Sequence, residues 1–362
     1  MTATRHVDLP SPYVLRRGGQ LVGARLAYET WGELSAARDN AVLILTGLSP
    51  GAHAASCAQD PTPGWWEAMV GPGRAIDTRR HFVICVNSLG SCKGSTGAAS
   101  IDPATGQPYR LSFPELTLED VAASSKHVLD ALGITHLRAL IGPSMGGMTT
   151  LAFAVLFPGF AVNLVLISTA PHSLPFATAI RSVQREAIRR DPAWKNGDYS
   201  ADAWPENGFR IARKLGMVTY RSPQEWRSRF GRKRVNTPDP RPFEREFEVE
   251  AYLDAHADRF VGSFDPNSYL YLSRAMDWFD LADHGGAVDI ALAKTQAKRA
   301  LVIGVTTDIL FPIEQQREIA EGLRHAGAIV EYHALPSIQG HDSFLVDFER
   351  FAPPVGDFLN SL

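Results

Sequence analysis

The stretch LIGPSMGGMTTLAFA, residues 140–154, places Ser144 between Gly142 and Gly146. The apolar residues before the serine are typical of a buried strand, and those after it are typical of a helix. The two glycines leave room for a sharp turn and for close packing of the helix on the strand. This order predicts a nucleophile elbow, in which a strained turn exposes the serine hydroxyl. The motif alone is weak, because it also fits a serine in an ordinary glycine-rich loop.

Short apolar runs recur along the chain, and most are continuous rather than alternating. They cover residues 41–47, 81–88, 137–142, 162–168, 300–307 and 330–335. Continuous runs are typical of strands that are covered on both faces of a parallel sheet. Helical patterns lie between them at 117–133, which opens on the N-cap residue Thr117, and at 312–327. The alternation predicts a mostly parallel, doubly wound α/β sheet.

The alternation stops between residues 171 and 292, where the chain is rich in Arg, Trp and Pro. The apolar spacing there is helical, so we interpret this part as a helical lid over the carboxyl edge of the sheet. The predicted division is 1–170 and 293–362 for the core and 171–292 for the lid. A basic run in the lid, RSRFGRKR at 227–234, fits a solvated helix end or loop, or alternatively a phosphate-binding segment.

Two further residues stand where a serine nucleophile would need them. Asp308 directly follows the apolar run 300–307, and His341 follows the next one. The carboxyl ends of parallel strands meet at one edge of a sheet, and the order Ser, Asp, His is the one that accompanies this elbow. We therefore predict a triad of Ser144, Asp308 and His341, with His341 as base and Asp308 as its orienting acid. Taken alone, Asp308 also fits a helix cap and His341 a loop histidine.

The composition excludes several classes of protein. The chain has 362 residues and a formal net charge of −3, so it lacks the excess of positive charge that is typical of nucleic-acid-binding proteins. No signal-peptide pattern opens the chain, and no apolar run approaches the roughly 20 residues of a membrane span. The three cysteines, Cys57, Cys85 and Cys92, lack metal-binding spacing. We expect a cytoplasmic protein with no metal, no bound cofactor and no membrane partner, in which Cys92 is a buried or inert thiol rather than a second nucleophile.

Longer stretches resemble the homoserine and serine O-acyltransferases of the α/β-hydrolase fold, which transfer an acyl group from acyl-CoA to an amino-acid hydroxyl. The resemblance lies in residues 87–121, 142–148, 212–222, 247–281, 306–312 and 340–345. It includes the lid, which a generic hydrolase would not share. It implies an α/β-hydrolase fold, small-molecule substrates, a homodimer formed through the lid helices, and the triad predicted above.

The resemblance also implies roles for residues that no local pattern singles out. Arg213 matches a lid arginine that holds the α-carboxylate of the acceptor, and Asp342 matches an acid that meets its ammonium group. The backbone N–H groups of Leu48 and Met145 match the two donors of the oxyanion hole.

One loop departs from the family pattern. The acetyltransferases usually read His-Ala-Leu-Thr-Gly-Asp-Ala-His, whereas this chain reads TGLSPGAH at 46–53. The loop of Ser49, Pro50, Gly51 and Ala52 resembles the serine O-succinyltransferase branch, and Pro50 stiffens it. We predict that this loop selects L-serine over L-homoserine; the alternative is loop drift with unchanged specificity.

Arg181 is the candidate for selecting the acyl donor. The acetyltransferases usually have an uncharged residue near this position, whereas a guanidinium can bind the terminal carboxylate of a succinyl group. The alternative is a salt bridge on a lid helix, for instance to Glu186 or Asp191. The expected donor is therefore succinyl-CoA. A homoserine O-acyltransferase and an esterase or thioesterase with the same triad stay open, whereas a catalytically silent binding module is disfavoured by the intact acid and base.

Overall fold

The computed structural model describes residues 3–200, 202–236 and 242–362. Residues 1, 2, 201 and 237–241, which fall within the predicted core and lid, lie outside the described residues.

The strands are β1 (Arg5–Asp8), β2 (Tyr13–Val14), β3 (Gln20–Leu21), β4 (Arg25–Trp31), β5 (Ala41–Leu45), β6 (Val70–Gly71), β7 (Ile76–Asp77), β8 (Phe82–Val86), β9 (Ala139–Pro143), β10 (Asn163–Ile167), β11 (Arg299–Val305) and β12 (Ile329–Leu335). The α-helices are α1 (Leu118–Ala131), α2 (Met145–Leu156), α3 (Pro175–Arg190), α4 (Glu206–Tyr220), α5 (Pro223–Phe230), α6 (Glu248–Phe260), α7 (Pro266–Trp278), α8 (Val288–Lys294), α9 (Ile313–His325), α10 (Ser343–Val346) and α11 (Phe348–Asn360).

Eight strands form the central sheet, in the order β1-β4-β8-β5-β9-β10-β11-β12. The pairs from β8 to β12 are parallel, whereas β1, β4 and β8 pair antiparallel. The six predicted apolar runs correspond to β5, β8, β9, β10, β11 and β12, so the predicted α/β sheet is confirmed. The sequence analysis missed β4, because its residues RLAYETW mix charged and apolar side chains and do not form an apolar run.

Apolar side chains fill both faces of this sheet. Along β5, Leu43 and Leu45 belong to one buried cluster, and Val42 and Ile44 belong to the other. Strands that are buried on both faces need an apolar residue at every position, which explains the continuous runs in the sequence. Helices α1 and α2 pack on the first face, and α11 packs on the second.

The predicted N-cap of α1 is confirmed. The Thr117 side chain accepts a hydrogen bond from the backbone N–H of Asp120, whose carboxylate in turn accepts one from the backbone N–H of Thr117. These reciprocal bonds form a capping box, which satisfies two N–H groups that the helix itself leaves unpaired.

Among the described residues, six α-helices, α3 to α8, stand between β10 and β11, and the first five lie wholly within the predicted lid at 171–292. Helix α3 packs against α4, and α4 packs against α6. The predicted boundary at residue 292 falls inside α8, which packs against α9 and α2 beside the sheet. The division into core and lid stays a prediction, and this packing favours a lid that ends before α8.

Candidate active site

Ser144 lies on a strained turn between β9 and α2. Its φ of 56° and ψ of −125° are rare for a residue with a side chain. A Cβ on Gly142 would lie 2.2 Å from the Gly146 carbonyl oxygen, and one on Gly146 would lie 2.1 Å from that of Leu45. Neither contact is sterically possible, so both positions require glycine. The geometry is that of a nucleophile elbow.

The three residues of the predicted triad are hydrogen-bonded to one another. His341 Nε2 lies 2.8 Å from the Ser144 hydroxyl oxygen, and His341 Nδ1 lies 2.7 Å from Asp308 Oδ2. The other carboxylate oxygen of Asp308 accepts bonds from the backbone N–H groups of Leu310 and Phe311, both at 2.9 Å. Asp308 therefore caps the turn before α9 rather than α9 itself, whose N-cap residue is Pro312, while its second oxygen fixes the imidazole with Nε2 free to accept the serine proton.

The surroundings of His341 make it a stronger base than an ordinary histidine. Burial alone would lower the pKa of His341, but the charge and the hydrogen bond of Asp308, helped by Asp342, outweigh it and raise the pKa. Arg181 acts weakly in the opposite direction. A raised pKa favours the imidazolium that forms when the ring takes a proton from serine.

The two predicted oxyanion donors are unpaired. Within the described residues, the backbone N–H groups of Leu48 and Met145 donate no hydrogen bond to the protein. Met145 is the first residue of α2, so its N–H has no partner inside the helix and lies at the positive end of the helix dipole. These two groups suit an oxygen that gains negative charge beside Ser144.

A cavity opens above Ser144, between the sheet edge and helices α3, α4, α6 and α7. Its wall contains Gly47, Leu48, Ser49, Pro50, Trp65, Ser144, Ile180, Arg181, Gln184, Arg213, Thr219, Tyr220, Phe260, Tyr269, Met276, Leu310, His341, Asp342, Phe344 and Leu345. The cavity therefore brings together the predicted nucleophile, base, lid arginine, acceptor acid and donor-selecting arginine, which are far apart in the sequence.

Arg213 and Asp342 both line this cavity, but they differ in whether their charge has a partner. The Arg213 guanidinium lies 4.3 Å from the centre of the Phe260 ring, and its buried Nε has no hydrogen-bond partner among the described residues. Asp342 lies 3.5 Å from Arg221 Nη2. Burial raises the pKa of the Asp342 carboxyl, and Arg221, His341 and Arg213 oppose that rise. An ammonium group beside Asp342 and a carboxylate beside Arg213 would each complete an ion pair.

Comparison with known proteins agrees with this geometry. Residues 40–347 match the model of the alpha/beta hydrolase fold. The chain is 61% identical to a serine O-succinyltransferase of Frateuria aurantia, with 99% of each chain covered. It is 60% identical to a serine O-succinyltransferase of Stenotrophomonas maltophilia, covering 99% of this chain and 98% of that one. It is also 59% identical to an L-serine/homoserine O-acetyltransferase of Streptomyces lavendulae, covering 99% and 97%.

This chain belongs to the serine and homoserine O-acyltransferase family of the α/β-hydrolase fold. Among solved structures, the homoserine O-acetyltransferase of Bacillus anthracis has a TM-score of 0.90 at 29% identity, covering 99% of this chain and 98% of that one. An esterase has a TM-score of 0.89 at 31% identity, covering 98% and 99%. The enzyme is thus an acyltransferase whose backbone also supports ester hydrolysis in a relative.

In this acyltransferase Arg181 is buried and held in place by the lid. Its Nε donates to Asp277 Oδ1 at 2.6 Å, and its Nη2 donates to the Ser173 hydroxyl at 2.6 Å. The salt-bridge alternative is right in kind, but the partner is Asp277 of α7 rather than Glu186 or Asp191. One guanidinium nitrogen, Nη1, is buried and has no partner among the described residues, although Arg181 lines the cavity.

The predicted specificity loop reaches the cavity with only part of its length. Ser49 and Pro50 line the cavity, whereas Gly51 and Ala52 do not. The Gly51 carbonyl accepts a hydrogen bond at 3.1 Å from the indole N–H of Trp65, which also lines the cavity. The sequence analysis missed Trp65, because one tryptophan in a loop carries no periodic signal.

The remaining predictions concern groups away from the cavity. The Cys92 sulfur accepts a hydrogen bond from the Asp265 backbone at 3.1 Å, and burial raises the pKa of this thiol, as expected of an inert cysteine. In the parts of the chain that the structure describes, no group of three or more His, Cys, Asp or Glu side chains could hold a metal ion. No helix among the described residues is long and apolar enough to cross a membrane.

The strain at Ser144 predicts a difference between two inactive variants. Ser144→Gly and Ser144→Ala both remove the hydroxyl, but only glycine adopts a φ of 56° without strain. We expect Ser144→Gly to be more stable than Ser144→Ala by about 1 kcal/mol, measured by chemical unfolding. Equal stability of the two variants would show that the turn is not strained.

The raised pKa of His341 predicts the pH dependence of the first half-reaction. The base must be neutral to accept the serine proton, so acylation should fall as the pH drops through the pKa of His341, with a midpoint above that of an ordinary histidine. Because Asp342 helps to raise this pKa, Asp342→Asn should move the midpoint to lower pH. Single-turnover release of CoA without acceptor measures this step, and an unmoved midpoint would contradict the assignment.

Proposed function

We propose that this enzyme is a serine O-succinyltransferase, which transfers the succinyl group of succinyl-CoA to the hydroxyl of L-serine through an ester on Ser144. The observation that carries the proposal is the hydrogen-bonded chain of Ser144, His341 and Asp308 at the base of a cavity that presents Arg213 and Asp342. The full-length likeness to proteins named serine O-succinyltransferase supports it.

The first half-reaction forms the ester. His341 Nε2 takes the proton of the Ser144 hydroxyl as its oxygen attacks the thioester carbon. The negative charge that develops on the carbonyl oxygen is stabilised by the backbone N–H groups of Leu48 and Met145. The tetrahedral intermediate collapses, the carbon–sulfur bond breaks, and CoA leaves with the proton from His341.

The second half-reaction uses the same groups in reverse roles. L-serine enters with its carboxylate at Arg213 and its ammonium at Asp342. His341 then removes the proton of the substrate hydroxyl, which attacks the ester carbon, and the Ser144 oxygen leaves with that proton. The lid above the cavity limits the access of water, which would otherwise hydrolyse the ester. No metal or bound cofactor takes part in this scheme.

We attribute the preference for L-serine over L-homoserine to the loop that contains Ser49 and Pro50. L-homoserine is one methylene longer than L-serine, so the same two anchors would place its hydroxyl further from the charged end. Ser49 and Pro50 line the cavity beside the oxyanion donor Leu48, where they limit the space for the longer chain. One methylene changes binding by only about 1–3 kcal/mol, so we expect a preference rather than absolute exclusion.

We attribute the selection of succinyl-CoA as donor to Arg181. Its unpaired Nη1 suits the terminal carboxylate of a succinyl group, which an acetyl group lacks. The relative named L-serine/homoserine O-acetyltransferase is 59% identical, so overall identity does not separate the donors and local residues must. Acetyl transfer to serine or homoserine is therefore the second candidate function.

Hydrolysis is the third candidate, because the fold is shared with an esterase. An esterase needs no site for an amino-acid ammonium and carboxylate, whereas Arg213 and Asp342 supply both charges. We therefore assign the enzyme to acyl transfer, with O-succinyl-L-serine as a precursor for cysteine synthesis in the cytoplasm.

A homodimer through the lid is part of the proposal. Helices α3 and α4 leave large apolar side chains exposed, namely Phe176 and Val183 on α3 and Ile211 and Val218 on α4. Exposed apolar side chains on adjacent helices suit a subunit interface. Sedimentation of the purified enzyme tests the oligomeric state.

Arg213 should act in the second half-reaction. We expect Arg213→Ala to lower kcat/KM for L-serine by the equivalent of about 2–5 kcal/mol, because the substrate carboxylate loses its partner. Acylation of Ser144 should change much less. Lys214→Ala is the matched control, since Lys214 pairs with Asp254 and does not line the cavity. Equal damage to both half-reactions would instead make Arg213 a scaffold residue.

Variants of Arg181 and Arg185 distinguish a role in donor selection from a role in holding the lid helices together. Both arginines pair with Asp277 at 2.6 Å, but only Arg181 lines the cavity. We expect Arg181→Leu to lower the ratio of succinyl-CoA to acetyl-CoA turnover by tenfold or more, in line with about 1.5–3 kcal/mol for a hydrogen bond to a charged group. Arg185→Leu should lower the melting temperature with that ratio unchanged. An unchanged ratio in Arg181→Leu would leave Arg181 as a lid salt-bridge residue.

A further inference from the structure

Helix α6 carries its charges on two separate faces. Asp254 and Asp258 form ion pairs with Arg210 of α4, and Asp254 also pairs with Lys214. These contacts fix the acidic face of α6 against α4. The residues at 252, 256, 259 and 260 lie on another face, because they follow the i, i+4, i+7, i+8 spacing of a helix.

This second face is aromatic and basic. The ring centres of Tyr252 and His256 are 4.2 Å apart, and the Arg229 guanidinium of α5 lies 4.4 Å from the centre of the Tyr252 ring. Arg229 also lies 3.4 Å from Glu225 on its own helix. Arg259 is exposed and has no carboxylate partner among the described residues. We call Arg229, Tyr252, His256 and Arg259 the α6 strip.

The α6 strip leads to the catalytic cavity. Phe260, the last residue of α6, lines the cavity and is covered by the guanidinium of Arg213 at 4.3 Å. His256 stands one helical turn before Phe260, so the strip lies on α6 next to a residue of the cavity wall.

The potential along the strip is positive. Burial lowers the pKa of His256 to about 4, and the charges of Arg259, Arg213, Arg229 and Arg221 contribute to this. Four guanidinium groups thus act on one imidazole, while Glu225, which lies 3.4 Å from Arg229, balances part of their charge. Such a concentration of cations next to a cavity favours the binding of a multiply charged anion.

The acyl donor supplies an anion of this kind. When its thioester carbon lies at Ser144, its pantetheine arm fills the cavity and its phosphate groups must lie outside. We propose that the α6 strip binds the phosphate groups of the acyl-CoA donor, with Arg229 and Arg259 as the phosphate partners and Tyr252 as an aromatic surface beside them. This proposal rests on the acyl-CoA-dependent function proposed above, and it gives a role to Arg229 within the basic run 227–234.

The test compares succinyl-CoA with succinyl-pantetheine, which has the same thioester and no phosphate. We expect Arg259→Gln to raise the KM for succinyl-CoA about three- to tenfold relative to the KM for succinyl-pantetheine, the size expected for a partly exposed charged contact. The difference should shrink as the salt concentration rises. Arg189→Gln, which removes an exposed arginine from α3, is the matched control and should leave both values unchanged. An equal change with both donors, or none with succinyl-CoA, would overturn the proposal.

A titration reports on the strip without turnover. Binding of free CoA should raise the pKa of His256, followed by NMR of its ring proton and assigned with His256→Gln, because nearby phosphates stabilise the imidazolium. An unmoved pKa would place the phosphates elsewhere. Inorganic phosphate added to the succinyl-pantetheine reaction separates the donor from a free phosphate effector: an effect on turnover that Arg259→Gln abolishes would reassign the strip to free phosphate. If neither donor acylates Ser144, the proposed function itself fails, and this outcome differs from a loss confined to succinyl-CoA.

Discussion

The hydrogen bond between His341 Nδ1 and Asp308 Oδ2 is the interaction on which the proposed chemistry of this enzyme depends. It fixes the imidazole so that Nε2 faces the Ser144 hydroxyl, and it makes a buried imidazolium tolerable. The bond forms because β11 and β12 are parallel neighbours, so the loops that follow them start at the same edge of the sheet. Ser144 reaches that edge from β9 through a turn that only flanking glycines permit.

In the proposed function, charges in the cavity separate acyl transfer from ester hydrolysis on the same backbone. Burial makes an unpaired charge costly, and Arg181 Nη1 and Arg213 Nε are buried without partners among the described residues. Asp342 is only loosely paired with Arg221. In the proposed function, these groups gain partners when the anionic ends of a succinyl group and an amino acid enter, together with the ammonium of that amino acid. On this proposal, part of the binding energy of both substrates comes from charged groups that folding has already removed from water.

The sequence predicted the parts of this structure that have a local signal. The elbow, the capping box of α1 and six strands, of which β12 is only partly buried, each leave a pattern of glycines, caps or apolar runs within a few residues. Asp308 and His341 were found because strand ends in a parallel sheet share an edge. Arg213 and Asp342 came only from the family resemblance, since a charged residue on a helix has no pattern that distinguishes a cavity from solvent. Asp277 as the partner of Arg181, and Trp65 as the residue that holds Gly51, depend on packing between elements far apart in the chain. Patterns within a few residues of the sequence cannot predict such contacts.

The ester on Ser144 is the central claim, and mass spectrometry of the intact enzyme tests it most directly. Enzyme mixed with succinyl-CoA and no acceptor should gain the mass of one succinyl group, and peptide mapping should place it on Ser144. Addition of L-serine should remove that mass and yield O-succinyl-L-serine. A group found on another residue, or transfer to serine with no modified enzyme at any time, would contradict the two-step account.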